Sequence, residues 1–258
     1  MICEYFLLKL LFKRKKLCTF EPLKFTNMKK LLVLLIAVSA FQVSAQNNSE
    51  LLKHYKAFYQ QMRTQGDVQG VINALTHINV LQPSIATRDT LAVYYMNDGK
   101  YVQALNTIGI DKNADDSDLA VEVKAVSLQA LNQPKKALEH FEVLFKRSPN
   151  VMIAYEMADL KIQTNDLAGA TTSINFGLTN STDEMVRTYY ETQSPYKVPA
   201  KAAFKYLSAI VKYKENPEQN KDAAFAILNE AEQMAPNFNR VKVAKEAIQA
   251  QMKDKTKE

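Results

Sequence analysis

Cysteine is scarce in this chain: of 258 residues only Cys3 and Cys18 are cysteines, and both precede residue 28. The absence of thiols beyond that point excludes a cysteine nucleophile, disulfides and thiolate metal sites from the rest of the chain, and it suits an oxidising compartment. Histidine is equally thin. His54, His77 and His140 stand far apart, with no carboxylate or second histidine at ligand spacing, so they read as ordinary helix residues. The six glycines are dispersed and leave no glycine-rich loop to cradle phosphate. No serine sits in a nucleophile-elbow pattern. Catalysis, a metal and a bound cofactor therefore have no anchor in the sequence, and we expect no enzyme.

A net charge of +6 invites nucleic acid until its distribution is read. Residues 1–45 hold Lys9, Lys13, Arg14, Lys15, Lys16, Lys24, Lys29 and Lys30 against Glu4 and Glu21, which leaves 25 basic and 25 acidic side chains beyond. The larger part is neutral, and a nucleic-acid partner is not expected. The basic start has its own logic. Met28-Lys29-Lys30 opens a secretory signal, Leu31 to Ala40 is its apolar stretch, and Val43-Ser44-Ala45 is a cleavage site before Gln46. The apolar stretch is shorter than the roughly 20 residues of a permanent spanning helix. The mature chain is thus expected to begin near Gln46 without an integral membrane segment, and no cysteine lies there to carry a lipid. Residues 1–27 read as an extension from a start assigned too far upstream, with an extended basic region or an N-terminal membrane anchor as the alternatives.

What the sequence does contain is a repeat. Gly66, Gly99, Asn132 and Asn165 are spaced 33 residues apart, and Gly and Asn are the residues that most readily adopt the left-handed conformation past a helix end. An apolar or ring residue follows two positions later in each copy, at Val68, Tyr101, Pro134 and Leu167. Small residues such as Ala92, Ala125, Ala137 and Ala158 let two helices approach closely, while Tyr95, Phe141 and Leu228 fill the space beside them.

This spacing resembles the tetratricopeptide repeat. The second copy carries Leu91-Ala92, Tyr95, Gly99, Tyr101, Ala104-Leu105 and Ile108, with Arg88 in place of the leading aromatic. The third has Ala125, Leu128, Ala137-Leu138, Phe141 and Pro149, and departs at Lys124. Tyr55, Phe58, Met62, Val71, Leu75 and Pro83 make the first, with Tyr59 where a small residue is expected. Met157-Ala158, Ala170 and Ile174 make the fourth, which has Lys161 for an aromatic and no closing proline. A fifth, out of phase, holds Phe204, Leu207-Ser208, Val211, Ala224, Leu228, Ala231 and Pro236. The expected fold is therefore all-α, a right-handed superhelical solenoid of antiparallel helix pairs. Four units occupy 46–183, a fifth 199–238, and a capping helix and tail 239–258.

Between units four and five, Asp183 to Val198 follows no helical period. Met185-Val186-Arg187-Thr188-Tyr189-Tyr190, Ser194-Pro195 and Tyr196-Lys197-Val198 point to a small β-hairpin over 184–198, or else to an irregular or helical loop. Asp111 to Asp118, with Glu122 beyond, places oxygen atoms much as a calcium-binding loop does. Asp116 stands where that loop needs glycine, and Asp118 where it needs an apolar anchor, so a capped inter-repeat turn is the better reading.

The resemblance implies that the first helix of each unit lines a concave groove. By register that groove takes Lys53, Lys56, Gln60 and Arg63; Asp89, Val93 and Met96; Glu122, Val126 and Gln129; Met152, Tyr155, Asp159 and Ile162; and Lys205 and Tyr213. Met and Tyr are adaptable contact residues, which favours a protein or peptide partner. Val93, Val126 and Ile162 could equally pack against a neighbouring helix. The chaperone-binding set of this family is not reproduced: Lys56 matches, but Gln60, Thr90, Leu119 and Val123 replace its other members. The expected function is a non-catalytic interaction scaffold, exported to the periplasm or beyond. Envelope assembly is one alternative. Association with polysaccharide or peptidoglycan is another, supported by Tyr189, Tyr190 and Tyr196.

Overall fold

The structure is a computed structural model that describes residues 48–254. The signal read at 28–45 and the extension at 1–27 lie outside the described residues. The chain divides into two compact units, Met1–His54 and Tyr55–Glu258. In the first, residues 48–54 are helical.

The second unit is a run of paired helices. Its first helix, α1, covers residues 55–65. There follow α2 (Val68–Leu81), α3 (Ile85–Asn97), α4 (Tyr101–Ile108), α5 (Asp118–Ala130), α6 (Pro134–Arg147), α7 (Val151–Gln163) and α8 (Leu167–Asn180). Strands β1 (Val186–Tyr189) and β2 (Tyr196–Pro199) come next, then α9 (Ala200–Glu215), α10 (Lys221–Met234) and α11 (Asn239–Asp254).

The turn inside each of the first four pairs has one chemistry. Gly66, Gly99, Asn132 and Asn165 all have positive φ, between 55° and 72°. In each turn the residue after them donates to the carbonyl five positions earlier: Asp67 to Met62, Lys100 to Tyr95, Gln133 to Leu128 and Asp166 to Lys161, over 2.8–3.0 Å. This is the Schellman arrangement, which satisfies the carbonyls a helix end leaves open and reverses the chain in a few residues. The new helix starts are capped by short polar side chains. Asp67, Ser84, Ser117, Asn150 and Asp166 accept from the N–H three residues on.

Helices approach closely where side chains are small. Ala92, Ala104, Ala125, Ala137, Ala158 and Ala170 are fully buried. Leu128, Leu160, Leu207 and Leu228 fill the layers between them, each worth roughly 2 kcal/mol as buried side chains. The largest apolar cluster lies at the C-terminal end and joins α7 to α11 through Phe204, Phe238 and the hairpin residues Tyr189 and Val198.

Two places depart from the regular repeat. The second helix of pair two, α4, has only eight residues and stops at Gly109, whose φ is 84°. The acidic stretch then crosses to α5 as a clamped loop. Lys124, 2% exposed, places its ammonium 2.5 Å from Asp116 and 2.8 Å from the Asp111 carbonyl. Arg147 donates to the Asp116 carbonyl and to Asp118. His140 donates to the Ile110 carbonyl, and burial pushes its pKa down so that the ring is neutral. Lys124, the departure from the repeat pattern, thus supplies the countercharge for this loop, and Ser117 caps α5 as the sequence predicts. The second departure is the hairpin. Antiparallel pairing sets Val186 opposite Pro199, Arg187 opposite Val198, Thr188 opposite Lys197 and Tyr189 opposite Tyr196.

Candidate functional site

Helices α5 and α7 are first members of adjacent pairs, and a groove of about 350 Å³ lies between them. One wall is Asp118, Glu122 and Val126, spaced four residues apart and so on one face of α5. The other wall is Met152, Ile153 and Glu156 of α7, with Phe141 and Leu144 of α6 below. The groove is apolar at its floor and carboxylate-rich along its walls. A second recess of about 370 Å³ is bounded by Lys56, Tyr59 and Gln60 of α1 and by Thr87 and Thr90 of α3, over Leu75 and Ile78. A third, of about 480 Å³, sits between the turns at Gln133–Lys136 and Gln163–Asn165.

The hairpin closes the α7 face beyond the groove. Arg187 of β1 sets its guanidinium 3.8 Å from the centre of the Tyr155 ring and 2.8 Å from the Glu156 carboxylate. Glu156 also accepts from Gln129 of α5 at 2.9 Å, which ties both groove walls to the hairpin. Tyr189 bonds the Tyr155 hydroxyl, stacks with Tyr196 and meets Phe238, while Arg240 of α11 covers its ring at 4.9 Å. The burial has electrostatic consequences. Tyr155 is pushed well above the ordinary phenol range, Tyr189 to about 12, and Tyr206 upward, all chiefly through lost hydration. Asp159 is also raised, by burial first and then by the nearby Glu156 charge. Burial works against the charge on Arg187, but Glu156 and Tyr155 hold the guanidinium protonated.

Solved structures of similar architecture settle what this stack is. A tetratricopeptide repeat protein from Parabacteroides merdae superposes with a TM-score of 0.59 at 18% identity, over 82% of this chain and 76% of that one. The chain folds as a tetratricopeptide-repeat solenoid. YrrB, described as a tetratricopeptide protein with an unusual peptide-binding site, gives 0.59 at 14% identity, over 80% of this chain and 98% of its own. PilW, described as a widely conserved type IV pilus biogenesis factor, gives 0.51 at 11%, over 86% and 99%. No family model matches the sequence, and no curated protein matches it either. At these identities the likeness establishes the fold alone. No helix among the described residues is long and apolar enough to cross a membrane.

The groove residues named from the sequence do not all meet in one place. Glu122, Gln129 and Met152 lie at the α5–α7 groove, with Met152 38% exposed. Lys56 and Arg63 are exposed on α1, where Lys56 donates to Gln82. Val93 and Met96 pack on the Ala92–Ala104 cluster, and Lys205 is held by Glu230 of α10, within its own repeat. Tyr213 packs on the C-terminal core, and Asp159 accepts from Gln163. Two expectations of exposure are corrected. Asp89 is 2% exposed because it bonds Arg88 and the Ser117 hydroxyl, and Tyr155 is 1% exposed because the hairpin covers it. The tyrosine cluster advanced for glycan binding also turns inward. Tyr189 is buried, Tyr196 is half-buried with one ring face stacked on Tyr189 and its hydroxyl on Glu191, and Tyr190 is 75% exposed.

Sequence reasoning missed Glu156, Arg187 and Arg240. Glu156 was within reach, since it stands four residues after Met152 and therefore on the same helix face. Arg187 and Arg240 were not, because nothing local shows that a strand and a capping helix converge on α7.

Proposed function

We propose that this chain is a non-catalytic interaction scaffold that holds a protein or peptide partner along the first helices of its repeats. The observation that carries this reading is the α5–α7 groove, where an apolar floor of Phe141 and Leu144 lies beneath Glu122 and Glu156. Such a trough matches an extended segment or a helix with alternating apolar and polar side chains. A peptide-binding site described for YrrB, a protein of the same fold, supports it. The working division is four units over 46–183, the hairpin at 184–198, a fifth unit over 199–238 and a cap to 258.

The narrower reading is that the scaffold works outside the cytoplasm. Its support is the signal read at 28–45 and the neutral, cysteine-free chain that follows. Assembly of envelope structures is the form of this reading favoured by the likeness to PilW. The reading includes neither a cofactor nor nucleic acid. Photo-crosslinking from Val126 or Met152 in living cells, followed by mass spectrometry, tests it. One recurrent partner recovered from both positions is the expected result. Recovery of no partner from either, while probes on the outer helix α6 capture one, would overturn the groove. Cell fractionation tests the export: retention of an uncleaved chain in the cytoplasm would remove it.

A further inference from the structure

The hairpin already shows which side chain the α7 face accepts. Arg187 sets its guanidinium carbon 3.8 Å from the centre of the Tyr155 ring and pairs with Glu156 at 2.8 Å, so an apolar ring and a carboxylate together seat a guanidinium. The next position along the groove repeats that chemistry. Glu122 stands on the α5 wall opposite Met152, above Phe141 and Leu144. Its neighbours are neutralised: Asp118 by Arg147 at 2.8 Å, and Glu156 by Arg187. Among the described residues no cation pairs with Glu122. The groove therefore presents one uncompensated carboxylate over an apolar floor, and on its other wall a carboxylate that the chain has matched with its own arginine.

From this charge complementarity we infer that the α5–α7 groove recognises a peptide segment carrying a lysine or arginine next to an apolar side chain. The cation pairs with Glu122, and the apolar neighbour rests on Met152 and the Phe141–Leu144 floor. The hairpin stops the segment at Glu156, where Arg187 repels a second cation. The inference rests on the scaffold reading and narrows its partner to one chemistry.

Random peptide display on the purified full chain tests both and separates them. The expected result is enrichment of peptides with Lys or Arg adjacent to Leu, Ile, Met or Phe. A selected peptide then loses about five-fold in affinity to E122Q, more to E122K, and weakens as salt rises. Thermal unfolding of E122Q matches the parent, since Glu122 is exposed. Enriched peptides without a basic residue, or affinity indifferent to E122K, would overturn this inference and leave the scaffold reading standing. Failure to enrich any peptide, together with failure of in-cell crosslinking, would overturn both.

Discussion

The phenolic oxygens of Tyr155 and Tyr189 lie 2.8 Å apart in a site closed to water, and they join the first helix of the fourth repeat to the inserted hairpin. Each hydroxyl satisfies the other. Removing one leaves a buried hydroxyl without its mate, so Y155F and Y189F are each expected to cost about 1 to 2 kcal/mol. The double variant should cost less than the two singles together, because it leaves no orphan. Chemical denaturation of the four proteins reads the coupling, and strict additivity would contradict the bond.

A second buried contact sets a sharper contrast. Lys124 and Asp116 have side chains only 2% and 4% exposed, and each neutralises the other. K124A should therefore cost about 3 to 5 kcal/mol, as a lone buried carboxylate remains. K124M combined with D116L removes both charges and should recover most of that loss, measured by thermal unfolding. The recovery matters because it separates a charge pair from a packing role for the lysine stem.

At the repeat turns the backbone decides. Asn132 and Asn165 hold φ of 55° and 63°, so replacement by Gly should be neutral or stabilising, and replacement by Ala should cost about 1 kcal/mol. A Cβ at Gly66 or Gly99 meets nothing within 4 Å, so G66A and G99A isolate the backbone cost, on the order of 1 kcal/mol each. Comparable shifts in melting temperature across all four positions would identify them as equivalent turns.

Gly177 works by a different mechanism. Its φ is ordinary, but a Cβ there would run into the Phe204 ring, which is itself buried between α8 and α9. G177A should cost about 1 to 3 kcal/mol through overpacking. Adding F204L, which shortens the obstructing side chain, should return part of the loss; further destabilisation would place the strain elsewhere.

The titrations have predictable signs. Tyr189 ionises near 10 in an unfolded chain and at about 12 in the fold, so its contribution to stability is complete below pH 10 and is lost as pH rises through 12. Denaturation followed from pH 9 to 12 should show a decline that Y189F makes shallower. Asp159 is likewise raised above its ordinary 3.8, so its ionisation opposes folding. D159N should be more stable than the parent at neutral pH, and the advantage should vanish as pH falls below 3.8.

Much of the fold could be read without coordinates, because its determinants are local. A 33-residue interval between left-handed turn residues, small residues where helices touch and polar caps at helix starts each act within one or two turns of chain. The same local rules pointed to a capped start for α5, supplied by Ser117, and left a hairpin or an irregular loop open between units four and five, where the structure has the hairpin. Exposure was not local. Asp89 and Tyr155 occupy groove positions by register, yet one is buried by Ser117, 28 residues away, and the other by Tyr189, 34 residues away. Lys124 reads as a fault in the repeat until Asp116 and the Asp111 carbonyl close on it. The sequence alone therefore determined the repeat, its turns and the class of molecule. Only the tertiary structure decided how much of the groove is open, since burial depends on which distant segment covers a helix face, and here that segment is an insertion with no repeat register to place it.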